Sequence, residues 1–180
     1  MKDFNDAIRR KNIAKRLSLS TQESFQLSLK ICQHFLSAVD LSLFTKKNVA
    51  LYRSIKGEVD LSLLQEKLLA SGARCFFPEI TSKEKKEMIF IGQKNIIEPE
   101  SLDFFFVPAV AFGPSGERIG WGHGYYDRYL KLNPSAIRIL FAYDFQYSQE
   151  LTQNSWDEPL DWIFTETREI QCPNLESKLP

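Results

Sequence analysis

The chain has 180 residues, room for one domain with a buried core but not for two. An apolar content of 43%, including 14 Phe, 6 Tyr and 3 Trp, excludes a disordered chain, and the balance of 23 basic against 23 acidic residues excludes an overall field that would draw it to nucleic acid or an anionic membrane. No apolar run approaches the ~20 residues of a spanning helix and the start lacks a signal-peptide core, so a cytoplasmic protein with no membrane partner is expected.

Phe4, Ala7, Ile8, Ala14 and Leu17 fall near helical spacing, with Arg9, Arg10, Lys11, Lys15 and Arg16 on the other faces. This predicts an amphipathic helix over 4–17 with a basic, solvated side. Ser20-Thr21-Gln22-Glu23 is a capping box, and Phe25, Ser28, Leu29, Cys32 and Phe35 continue a second helix over 21–38. A strand at 48–52, a turn at Lys56-Gly57, a helix from Asp60 to Ser71-Gly72 and a strand at 73–77 stopped by Pro78 make a βαβ unit, which implies a parallel pair with a right-handed crossover.

Met88–Ile91, Asp103–Val107 and Ile137–Tyr143 read as further strands, Asp161–Thr165 as the last strand before a polar tail, and 82–87 as a solvated turn between edge strands. The predicted architecture is α/β: three layers, a mostly parallel sheet flanked by helices, and a helical N-terminus packed on the same domain. Cys32, Cys75 and Cys172 are odd in number and widely spaced, so they read as reduced thiols, and two histidines are too few to favour zinc.

The stretch from Gly113 to Leu130 is the most informative, with five glycines in the twelve residues 113–124. Gly120, Gly122 and Gly124 let the backbone approach a ligand, and successive N–H groups ahead of a helix make a site for an anion such as phosphate. The alternating GxGxG is neither GxxxxGK[ST] nor GxGxxG, and a bare turn is its other reading. Asp127, where the next helix opens, is either a carboxylate for Mg²⁺ on bound phosphates or an ordinary helix-start residue. His123 is either a phosphate contact or an exposed loop residue. Glu58 lies just beyond a strand's C-terminal end, where open α/β sheets place ligands; alone it reads as a turn residue.

Taken together, Arg118 to Asp127, LYRSIKGEVD at 51–60, VPAVAFGPSGERIG at 107–120, AYDFQ at 142–146 and WDEPLDWIFTE at 156–166 resemble, in order, the 5-formyltetrahydrofolate cyclo-ligase (5,10-methenyltetrahydrofolate synthetase) family. The resemblance implies an enzyme that closes the N5-formyl group of 5-formyltetrahydrofolate onto N10, with ATP as co-substrate and Mg²⁺ as cofactor, acting as a monomer. It implies that Arg9, Arg118, Ile119, Gly120, Trp121, Gly122, His123, Gly124, Tyr125 and Tyr126 hold ATP, and that Asp127 and Asp157 ligate Mg²⁺. Glu58 and the 121–125 turn would border the folate beside Tyr52 and Arg53, with Glu58 and Arg118 as the catalytic pair. Phe112 is a candidate ring wall whose other reading is core packing. Asn5 stands where the family usually has a lysine, for which Lys2 would substitute as an ATP contact, and Trp121 fills a position that is often basic or Tyr. The competing reading is a nucleotide- or folate-binding homologue without turnover, a sensor or buffer.

Overall fold

A computed structural model describes residues 2–85, 87–93, 95–122, 124–151 and 158–173 of the chain. Helix α1 spans Lys2–Ser18 and α2 Thr21–Ala38. The cap of α2 is the one its sequence announces: Glu23 N donates to Ser20 Oγ and Ser20 N to Glu23 Oε2. There follow β1 (Asn48–Ala50), α3 (Ser62–Ala70), β2 (Arg74–Ser82), β3 (Glu87–Ile91), β4 (Ile96–Ile97) and β5 (Phe104–Phe106). The chain continues through β6 (Ala111–Phe112), β7 (Arg118–Ile119), α4 (Tyr125–Leu132), β8 (Ile137–Phe141), β9 (Trp162–Phe164) and β10 (Glu169–Gln171).

Among the described residues, one sheet runs β10-β9-β8-β5-β1-β2-β3-β4, and β6 and β7 form a separate antiparallel hairpin. The five strands from β9 to β2 are parallel, as the βαβ reading expected, and both flanks are antiparallel. Alternation along the central strands feeds two cores. Phe104, Phe106, Ile139 and Phe141 pack with Phe35 of α2 and Leu64 and Leu68 of α3, whereas Phe105 and Leu140 pack on the other face with Leu130 of α4. The three-layer α/β expectation therefore holds. No helix among the described residues is long and apolar enough to cross a membrane.

Three expectations need correction. Pro78 does not end β2, which runs on to Ser82. After Phe76 the strand has left β1 and pairs with β3 alone, and a proline is tolerated where its missing N–H faces an open edge. The strand at 161–165 is not the last, since β10 pairs back on β9. The apolar face assigned to the first helix is largely exposed: Phe4, Ala7, Ala14 and Leu17 face outward, while Asn12 and Arg16 are buried. What α1 covers is a run of backbone carbonyls that the sheet leaves unpaired. Arg9 Nε donates to Gly120 O (3.0 Å), Asn12 Nδ2 to Val110 O (3.1 Å) and Arg16 Nη1 to Ala109 O (3.1 Å). Carbonyls at an interface need donors, so the inward stripe of this helix is polar.

Cys32, Cys75 and Cys172 are free and buried, and burial pushes their thiols up to about 12, 11 and 12 respectively, so they stay protonated.

Candidate active site

Along the sheet, the chain goes from β1 to β2 on one side and later places β5 on the other. Loops leaving the C-terminal ends of β1 and β5 therefore diverge, and a doubly wound sheet opens its ligand crevice there. The loop after β1 carries Glu58 and the segment after β5 carries the β6–β7 hairpin and the glycine turn.

The β1 loop reverses at Ile55–Glu58, where Glu58 N donates to Ile55 O (3.0 Å) and both central residues, Lys56 and Gly57, have positive φ, 49° and 72°. This tight turn folds the Glu58 side chain back, so that Ile55 N donates to Oε2 (3.1 Å). Across the crevice Trp121 Nε1 donates to Oε1 (2.8 Å). Burial raises the Glu58 carboxyl above its ordinary range; the Trp121 bond, the Ile55 bond and the charges of Arg16 and Lys56 oppose that rise. Gly57 also sits hard against α1, since an added Cβ would lie 3.0 Å from Arg16 O. Gly57→Ala is expected to destabilise the fold by about 1–2 kcal/mol through left-handed strain and that contact, read as a lower denaturant midpoint with unchanged slope.

On the other wall, the hairpin turn is tied by Ser115 N to Glu117 Oε2 (2.8 Å) and Gly113 N to Glu117 O (2.9 Å), which delivers Arg118 beneath the turn. The Arg118 side chain, 4% exposed, pairs through Nη2 with Asp127 Oδ1 in the first turn of α4, and its Nε finds no partner among the described residues. Gly122 has φ 89°, and an added Cβ would lie 3.8 Å from the Arg9 guanidinium carbon, so the turn rides over Arg9 with a backbone only glycine adopts freely. Arg9 also pairs with Asp6. Gly124 caps α4 without a side-chain bond, and the N-terminal end of a helix favours negative charge.

The structure thus brings together Arg9, Glu58, Arg118, Gly120, Trp121, Gly122, Gly124, Tyr125 and Asp127. Tyr126, beside them, has its phenol raised by burial and by Glu58. Ile119 is buried with Ala111 and Leu151, and its carbonyl accepts from Val110 N (2.6 Å) in the β6–β7 hairpin. One expected wall is misplaced: Tyr52 is 4% exposed with its hydroxyl donating to Val59 O (3.2 Å), whereas Phe112 is fully buried beside Tyr147, in keeping with its core-packing reading. Arg53 is exposed and stacks on Phe77 at 4.5 Å, toward the β2 side. The side chain of Lys2, His123 and Asp157 lie outside the described residues.

A cleft of about 340 Å³ adjoins Glu58, lined by Arg16, Ser24, Phe25, Ser54, Gly57 and Asp60 among others. A somewhat larger hollow, about 380 Å³ beside Lys47 and Asp103, lies at the N-terminal ends of β5 and β8 and contains none of these residues. The sequence reading passed over Arg16. Its signal lies in the spacing of Arg9, Asn12 and Arg16, which recur at i, i+3 and i+7 on one helix face, although such a polar stripe ordinarily faces solvent.

As for metal, no cluster of three potential ligands exists among the described residues. Asp127 offers one hard oxygen donor at the crevice. That suits Mg²⁺ arriving on phosphates, which takes one or two carboxylates and keeps phosphate oxygens and water for the rest.

Residues 2–166 match the family model described as the 5-formyltetrahydrofolate cyclo-ligase family. The 5-formyltetrahydrofolate cyclo-ligase of Mycoplasma genitalium is 39% identical over 161 residues, covering 88% of this chain and 95% of the relative. That of Mycoplasma pneumoniae is 37% identical over 164 residues, covering 89% and 98%. Among solved structures, a 5,10-methenyltetrahydrofolate synthetase from Mycoplasma pneumoniae superposes with a TM-score of 0.81 at 36% identity, covering 90% of this chain and 98% of that one. One from Aquifex aeolicus gives 0.80 at 31% identity, covering 96% and 95%.

Proposed function

The chain belongs to the 5-formyltetrahydrofolate cyclo-ligase family, and we propose that the crevice between Glu58 and the 118–127 segment is where its two substrates meet. The enzyme cyclises 5-formyltetrahydrofolate to 5,10-methenyltetrahydrofolate with cleavage of ATP to ADP and phosphate. Relatives named as cyclo-ligases over nearly the whole chain favour turnover over the silent binder that Asn5 and Trp121 suggested. The observation that carries the placement is the Trp121–Glu58 hydrogen bond, which ties the loops leaving β1 and β5 at the switch point of the sheet.

A formamide oxygen leaves badly, so the γ-phosphoryl group of ATP is passed to it, and N10 of the same molecule then attacks the formyl carbon and expels phosphate. Alignment of an intramolecular attack lowers the barrier by ~7–11 kcal/mol, which makes holding both substrates the main task of the protein. Arg118, Arg9 and the N–H groups of the 120–125 turn bind the triphosphate. Asp127 would hold Mg²⁺, which would supply neutralisation of phosphate charge. Trp121 offers a flat face to the pterin, and each Glu58 oxygen keeps a lone pair for a folate N–H beyond the bond it already accepts.

The test mixes the protein with 5-formyltetrahydrofolate, Mg²⁺ and ATP and follows the near-ultraviolet absorbance of the methenyl product. Absorbance is expected to grow only in the complete mixture. Folate binding without product would sink the reading in favour of the silent homologue.

A further inference from the structure

We propose that Arg16 is a positioning residue of this site, bracing Trp121 and Glu58 as one rigid wall against which the folate is laid. The proposal rests on the reading of the crevice as the substrate site.

Arg16 is 1% exposed. Its Nη1 holds Ala109 O after β5, its guanidinium lies 5.0 Å from the Trp121 ring centroid, and its backbone oxygen backs the Gly57 turn that aims Glu58. One residue of α1 therefore touches both loops that form the crevice, and the Trp121–Glu58 bond closes the ring.

Fold stability alone does not account for it. Arg16 Nε and Nη2 are buried and find no hydrogen-bond partner among the described residues. A buried guanidinium with two orphan donors is costly, and an apolar side chain of similar length fills such a space at least as well. What methionine would lack is a flat cation under the indole and a sheltered positive charge beside Glu58. Facing Glu58 are Arg16 from α1, Lys56 from its own turn, Tyr52 from the end of β1 and Tyr126 from α4, with Asp60 lining the same cleft. Of these, only Arg16 and Lys56 bring positive charge. Lys56 is exposed, its Nζ 4.7 Å from the Trp121 centroid, so solvent and salt weaken its field and leave Arg16 as the steady partner.

Arg16→Met and Arg16→Lys test this, with Trp121→Phe as the blank for indole emission. In the ligand-free protein, Trp121 emission is expected to follow Glu58 ionisation through the Nε1–H bond, a response that Glu58→Gln removes. Arg16→Met should move its midpoint upward by about one pH unit, and lower kcat/KM for the folate by about tenfold with KM for ATP unchanged. Arg16→Lys should restore the midpoint but not the rate, because it keeps the charge and loses the flat fork. A folded methionine variant with wild-type midpoint and kcat/KM overturns the proposal. Should the methionine variant not fold, the lysine variant decides: a wild-type rate overturns the proposal and a lowered rate with a wild-type midpoint supports it. A wild-type protein without turnover overturns the substrate reading instead, and the emission midpoint, measured without substrate, then decides for or against the Arg16 brace.

Discussion

Arg118→Ala lowers ATP-dependent turnover by about 10²–10³-fold, the usual consequence of removing one fixed group aimed at developing charge in a sheltered site. The expectation follows from where the side chain sits. It is 4% exposed, held by Asp127 and overlaid by Gly120, so neither water nor another described side chain is placed to take over its role. The same change leaves the Asp127 carboxylate without its partner. Asp127 is 23% exposed and retains part of its hydration, so the stability loss is smaller, about 1–2 kcal/mol. The two effects separate experimentally. Adding Asp127→Asn to Arg118→Ala should recover much of the denaturant midpoint and none of the turnover. Arg118→Lys should restore charge without the two-pronged geometry and stay well below wild type. Turnover within a few-fold of wild type in a folded alanine variant would remove Arg118 from the catalytic machinery.

Glu58→Gln is expected to lower kcat/KM for the folate by about 10–100-fold, the range for losing a charge-assisted hydrogen bond, and to leave KM for ATP nearly unchanged. It should also alter the pH dependence of stability, with a sign that burial dictates. The folded carboxyl titrates above the unfolded one, so between the two values the native state carries the extra proton. Stability then falls as pH rises through that window, the reverse of a salt-bridged carboxylate. Denaturant midpoints measured from below the ordinary carboxylate range up to neutral pH should show a decline in the wild type that the glutamine variant flattens. A decline of equal size in both proteins would assign it to other groups.

Much of this was legible in the chain because it is local. The bounds of α2 follow from Ser20, Glu23 and an apolar stripe within 18 residues. Three consecutive phenylalanines could only be a strand covered on both faces, as β5 is. The segment 118–127 carries its glycine pattern contiguously, and its glycines announce the turn whatever surrounds it. The short β4 and β10 escaped notice because two or three residues of strand acquire their state from a neighbour's edge and carry little pattern of their own.

The sequence by itself determined the layered α/β architecture, the parallel βαβ core and the family to which the chain belongs. Only the tertiary structure decided which face of α1 turns inward, that Tyr52 is core and not a wall, and that Arg16 stands beneath Trp121. The physical reason is common to all three. Each is settled by a partner outside the local periodic pattern: Tyr52 bonds Val59 O across the turn that follows it, and the donors of Arg9, Asn12 and Arg16 meet carbonyls 93 to 111 positions away. Periodicity tells which residues share a helix face, but whether that face should be apolar depends on what it covers, and here it covers backbone oxygens that the sheet does not bond.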